Sequence, residues 1–299
     1  MRFKFFILLF LVATHLELQS KECYSKEVIQ TFEKNINQNP IQTLKEYRVY
    51  TVDLQGVFVD VYLPSKLNET CYKILLVLPG WKFHRKRWFL ETRLLDFMEK
   101  NSYMAIAPEM GVSVYESIYF PETKLKWNKK PGMVFLENDV LGFFQKHDLL
   151  KEGFLNFALG LSTGGRGVVL LASRNPGLFT AVSSLSGDFD QTITPKDNLM
   201  RLTYGEYEKF PERWKTIDNP IWIIQNRGWK TPLYLGHGKE DKVVSYLHSQ
   251  HFYDFLKKHH PEIPIEFHLK AQHKHDFLYW DSELENVFLF FEKISSKKN

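Results

Sequence analysis

The chain has 299 residues, 44% of them apolar, which suits one large α/β domain or two modest ones with a core of ordinary size. Its net charge of +4 is small and spread out, and no basic tract interleaved with aromatics occurs beyond the short 82–87 segment, so nucleic-acid binding is excluded on composition. The 2 cysteines, Cys23 and Cys71, lack the paired spacing of a zinc site; an oxidising compartment would join them, and two separate thiols are the alternative.

Arg2 and Lys4 precede the apolar run Phe5-Phe6-Ile7-Leu8-Leu9-Phe10-Leu11-Val12-Ala13, the pattern of a secretory signal, assigned to residues 1–20. That run is too short to span a bilayer comfortably, so a secreted or periplasmic protein without a membrane span after cleavage is expected, an uncleaved anchor being the alternative. Residues 21–43 are polar and helix-like, an N-terminal lead-in, and residues 44–299 read as a single domain.

Residues 48–54 and 57–63 are two strands around Gln55-Gly56, read as a hairpin at the sheet edge and ended by Pro64. Lys73-Ile74-Leu75-Leu76-Val77-Leu78 is a short, mostly continuous apolar run, as in a parallel strand buried on both faces, and breaks at Pro79-Gly80-Trp81. A helix over 88–100 and a strand over 103–107 follow, implying a parallel βαβ unit. The 111–131 stretch, with Tyr115, Tyr119, Phe120 and Trp127, is a long loop whose aromatics either shape a substrate cleft or cover the core edge. Residues 133–146 read as a helix.

The next stretch organises the chain. Residues 156–173 read as strand, sharp turn and helix, with Gly160-Leu161-Ser162-Thr163-Gly164 at the apex. This is G-x-S-x-G, in which a serine in a tight turn projects its hydroxyl off the sheet while the glycines remove side chains that would collide there. Ser162 is the candidate nucleophile; a glycine-rich loop without chemistry is the bland reading. Strands over 179–186 and 232–238 bracket an excursion of residues 188–231, with Trp214, Trp222 and Trp229, expected to be a small helical insertion. A helix over 243–259, a strand over 265–269 and a closing helix over 282–294 complete the chain.

An activated serine needs a base and an acid to orient it, which on this architecture follow in the order acid, then histidine. Asp241 follows the 232–238 strand and His275 follows the 265–269 strand. Asp188, Asp190 and Glu240 compete for the acid, and His237 and His273 for the base. Backbone donors for an oxyanion would come from Thr163, after the serine, and from Trp81, in the loop after the 73–78 strand. No H-E-x-x-H is present and no metal is assigned.

Several motifs then stand in order: Val61-Tyr62-Leu63-Pro64, Pro108 with the residues to Tyr115, Asn138-Asp139-Val140, Gly160-Leu161-Ser162-Thr163-Gly164-Gly165, Ser184-Leu185-Ser186-Gly187, Gly238 with the residues to Val244, and His275-Asp276-Phe277-Leu278-Tyr279-Trp280. Over residues 49–291 the chain resembles the α/β-hydrolase superfamily, and within it the esterase group that includes S-formylglutathione hydrolases, feruloyl esterases and the antigen 85 mycolyltransferases. Pro79, where many such enzymes carry histidine, and Lys82, in place of glycine, depart from that pattern. The resemblance implies a mostly parallel sheet with helices on both faces, a helical insertion before the acid strand, and a Ser162, Asp241, His275 triad acting on carboxylic esters or thioesters. It implies no cofactor, and a small-molecule, glycan or lipid ester as substrate, without fixing the acyl group or the oligomeric state. Acyl transfer to an alcohol, or a binding protein that keeps the fold without the chemistry, are the alternatives.

Overall fold

The computed structural model of the chain describes residues 21–36 and 38–296; the expected signal segment lies outside the described residues. Nine strands form one sheet: β1 (Gln42–Leu44), β2 (Tyr47–Leu54), β3 (Val57–Pro64), β4 (Lys73–Leu78), β5 (Tyr103–Pro108), β6 (Asn156–Leu161), β7 (Ala181–Leu185), β8 (Leu233–Gly238) and β9 (Ile265–Lys270). Their order is β1-β2-β3-β5-β4-β6-β7-β8-β9, antiparallel from β1 through β3 to β5 and parallel from β5 to β9. The hairpin β2–β3 is therefore not the edge: the short β1 covers β2, and β3 pairs with β5 inside the sheet. Gln42-Thr43-Leu44 carries no alternation long enough to read as a strand.

The side-chain alternation of β4 shows why its apolar run is unbroken. Ile74, Leu76 and Leu78 enter a cluster with Ile29, Phe144, Val168 and Phe252, while Leu75 and Val77 enter another with Trp88, Leu94, Trp280 and Phe291. Both faces are covered by helices, which keeps the strand apolar from Ile74 to Leu78. One layer holds α1 (Lys26–Asn35), α4 (Gly132–Phe135, continued by a π turn at Leu136–Leu141 and by Gly142–Lys146), α5 (Thr163–Arg174) and the helix Leu247–His259. The other holds α2 (Arg87–Glu91), α3 (Leu94–Lys100) and the closing helix Phe277–Ser296.

Three helix boundaries differ from the periodicity. The expected helix over 88–100 is two helices, because Thr92 is extended (φ −138°) and its hydroxyl donates to the Trp88 carbonyl while accepting from the Leu94 amide. The closing helix starts five residues early, where Asp276 Oδ1 accepts the Tyr279 amide at 2.9 Å. The helix expected from Val243 begins at Leu247, since the Val243 and Val244 amides donate instead to Asp241 Oδ1.

Within residues 188–231 a 3₁₀ turn is followed by α6 (Asn198–Tyr204), α7 (Pro211–Thr216) and α8 (Pro220–Arg227). Asp197 and Asn219 cap α6 and α8, and Met200, Tyr204 and Trp214 pack with Val114 as a separate small core. In chain order the two remaining helices are α9 (Leu247–His259) and α10 (Phe277–Ser296). Ahead of the sheet, Cys23 and Cys71 form a disulfide, Glu22 bridges to Phe154, and the Tyr24 hydroxyl donates to Asn156 Oδ1 at the start of β6.

Candidate active site

Strand register decides which loops meet. Leu78 pairs with Gly160 in parallel, so the loop after β4 and the turn after β6 leave the sheet side by side, at the point where the strand order reverses. Gly238 pairs with Lys270, which likewise puts the loops after β8 and β9 together.

Ser162 occupies the turn between β6 and α5 with φ 54° and ψ −127°, a conformation costly for any residue with a Cβ. The glycines make the turn feasible: a Cβ on Gly160 would collide with the Gly164 carbonyl, and one on Gly164 with the carbonyls of Leu78 and Pro79. The register also brings Gly80 against the serine, its ideal Cβ position lying 3.3 Å from Ser162 Cβ. Thr163 is the first residue of α5, so its amide has no intrahelical acceptor and sits at the positive end of the helix. Beyond Gly80, the Lys82 amide donates to Gly111 and the Phe83 amide to Gly80, whereas the Trp81 amide donates to no backbone acceptor among the described residues.

On the other side of β7, His275 Nδ1 lies 2.6 Å from Asp241 Oδ2. The carboxylate only accepts, so Nδ1 carries a proton, and in the neutral ring the lone pair is on Nε2. Burial pushes the Asp241 carboxyl up, but hydrogen bonds from His237 and His275 and the Val244 amide outweigh it and hold the group well below the usual carboxylate range. The His275 ring packs edge-on against Trp280 at 5.1 Å, and Trp280 Nε1 donates to Ser186 Oγ at the end of β7, between the strands that carry the serine and the acid.

The competing residues are engaged elsewhere. Asp188 pairs with Arg166 at 2.8 Å, Asp190 caps the 3₁₀ turn through Thr192, and Glu240 is exposed. His273 lays its ring near Tyr279, and its carbonyl accepts the Glu240 amide. His237 is fully buried behind Asp241.

Two further residues support the site, and the sequence does not tell what either of them meets. Tyr115 (φ 61°) is fully buried, its ring against Gly167 of α5 and its hydroxyl donating to the Pro79 carbonyl at 2.7 Å. It thus braces the loop that presents the Trp81 amide, and it covers the core rather than lining a cleft. Tyr115→Phe is expected to slow turnover about fivefold, the equivalent of one hydrogen bond of about 1 kcal/mol. Measured kcat with an aryl ester checks this, and an unchanged kcat would show that the loop holds without the bond. The second residue is Arg166, in the first turns of α5 and fully buried. It donates to Asp188, to Gln191 Oε1 at 3.1 Å and to the Asp218 carbonyl, while Asp218 Oδ2 accepts from the Ser117 amide and the Tyr204 hydroxyl.

A serine turn between a parallel strand and a helix, with an acid and a histidine on later strand ends, defines this protein as an α/β-hydrolase. Residues 55–290 match the family described as "Putative esterase", and the chain belongs to that family. Among solved structures it is similar to a fluorophosphonate-binding serine hydrolase of Staphylococcus aureus (17% identity, 82% of this chain and 96% of that one, TM-score 0.61). It is also similar to an S-formylglutathione hydrolase from Agrobacterium tumefaciens (13%, 86% and 100%, TM-score 0.66) and to MPT51 of Mycobacterium tuberculosis (14%, 83% and 97%, TM-score 0.63). At these identities the likeness is one of fold.

Proposed function

We propose that the protein is an exported serine esterase acting on carboxylic esters or thioesters of a small molecule, glycan or lipid. Ser162 Oγ attacks the carbonyl carbon as His275 Nε2 takes its proton, and the Thr163 and Trp81 amides receive the oxyanion. Collapse of the intermediate breaks the bond to the alcohol or thiol, which leaves with the proton from His275. A water, activated by the same nitrogen, then releases the acid from the acyl-enzyme. Asp241 orients the imidazole and stabilises it while charged. The reading needs no cofactor. Export rests on the leading charged and apolar segment, and the Cys23–Cys71 bridge suits an oxidising, secreted or periplasmic location.

The observation that carries the proposal is the strained serine at the head of α5, beside a glycine loop whose next amide is unengaged, in a chain of the esterase family. Treatment with a fluorophosphonate, followed by peptide mass mapping, is expected to label Ser162 alone, and Ser162→Ala is expected to abolish both labelling and aryl-ester turnover. A folded, unlabelled wild-type protein would leave the scaffold without this chemistry.

A further inference from the structure

The β8 histidine that competes with His275 on sequence grounds has an arrangement of its own. His237 is the fifth residue of β8 and fully buried. Its Nε2 faces the Val244 carbonyl at 3.0 Å and Asp241 Oδ2 at 3.3 Å, both acceptors only, so that nitrogen carries the proton. Its Nδ1 therefore accepts from Ser249 Oγ, 2.7 Å away on α9. The tautomer is set from both sides, and the ring cannot serve as a base toward Ser162.

We infer that His237 is a positioning residue for the reaction, its Nε2–H set beside the same carboxylate oxygen of Asp241 that accepts from His275 and thereby moderating how strongly the acid draws on the base. The inference rests on the serine-esterase reading above. Asp241 accepts three hydrogen bonds, from the Val243 and Val244 amides at 2.8 and 2.9 Å on Oδ1 and from His275 Nδ1 at 2.6 Å on Oδ2, and the His237 Nε2–H, donated to the Val244 carbonyl, lies 3.3 Å from the same Oδ2. The carboxylate cannot rotate without breaking several of these bonds, and the positive ends of two ring N–H groups lie against one of its oxygens. The other titratable groups felt across this cluster are His248 on α9 and Tyr279 on α10.

Removing the second imidazole donor leaves more charge on Oδ2 for the His275 Nδ1–H bond. The charged imidazole of His275 is then better stabilised, and the acid limb of kcat/KM moves to higher pH. Loss of packing alone would lower activity without moving that limb.

The test compares His237→Phe, which keeps a ring but no donor, with His237→Gln, which keeps a side-chain N–H. His237→Phe is expected to lower kcat about tenfold with KM changed less than about twofold, and to raise the acid limb by about half a pH unit. His237→Gln is expected to restore most of kcat and return the limb toward wild type. The low-field proton resonance of His275 Nδ1–H should move in the Phe variant and return in the Gln variant, a readout independent of turnover. A folded Phe variant with unmoved limb and resonance overturns the inference, as does a Gln variant as slow as Phe. If the Phe variant does not fold, Ser249→Ala, which removes only the partner of Nδ1, should give a smaller shift of the same sign, and an unshifted limb and resonance would overturn it. A wild-type protein that turns over no ester defeats the esterase reading, while the resonance still decides the role of His237.

Discussion

His275→Ala is expected to lower kcat for a good aryl ester by about 10³-fold or more, while His273→Ala costs about tenfold at most. The two residues share a loop, and their surroundings separate them. His275 has its Nδ1 on the buried Asp241 carboxylate and its ring against Trp280, which is fixed in turn to Ser186. Without that imidazole nothing in the proposed mechanism takes the serine proton, and only the amide donors and binding contribute. His273 supports the loop through its carbonyl, which the Glu240 amide engages and against which Gly238 is closely packed. A backbone contact survives truncation to alanine. Steady-state kinetics on both variants, with folding checked by circular dichroism, decides between them; reversed effects would place the base at His273.

Replacing both cysteines by serine is expected to lower the free energy of unfolding by about 4 kcal/mol, the chain-entropy value for a bridge spanning a sequence separation of 48. The bridge ties the N-terminal segment to the residues just before β4, next to the Tyr24–Tyr72 pairing. Its loss releases that segment in the unfolded chain without removing the apolar contacts of Ile29 and Phe32 from the folded one. Denaturant unfolding of the oxidised wild type and the double variant measures the difference, and a value under about 1 kcal/mol would mean that these contacts already restrict the unfolded state. Titration of denatured, unreduced protein should find no free thiol.

The central parallel strands were legible because burial on both faces leaves little choice of residue: β4 is apolar from Ile74 to Leu78, and β6 carries the glycine-serine pattern at its end. Boundaries set by one side chain were not. Thr92 breaks a helix and Asp276 starts one through side-chain hydrogen bonds that periodicity does not register. In the site, chain order pointed to loops rather than residues. Asp188 and Asp241 both follow a strand, and only packing separates them, the first facing Arg166 and the second His275. Tyr115 lay in an aperiodic aromatic loop and could not be assigned to the Pro79 carbonyl from sequence. Arg166 did leave a trace, as the one charge inside a run of small and apolar residues, although nothing local told which loops it would meet.

The buried guanidinium of Arg166 places three stretches of chain under one constraint: the segment after β7 through Asp188 and Gln191, the end of the insertion through Asp218, and the loop after β5 through Ser117. All of them are anchored four residues from Ser162. Substitutions in these stretches are therefore not separable choices. A substitution in one stretch displaces the carboxylate or carbonyl on which the other two depend, so substitutions far apart in sequence are expected to be energetically coupled, as double-mutant cycles would measure.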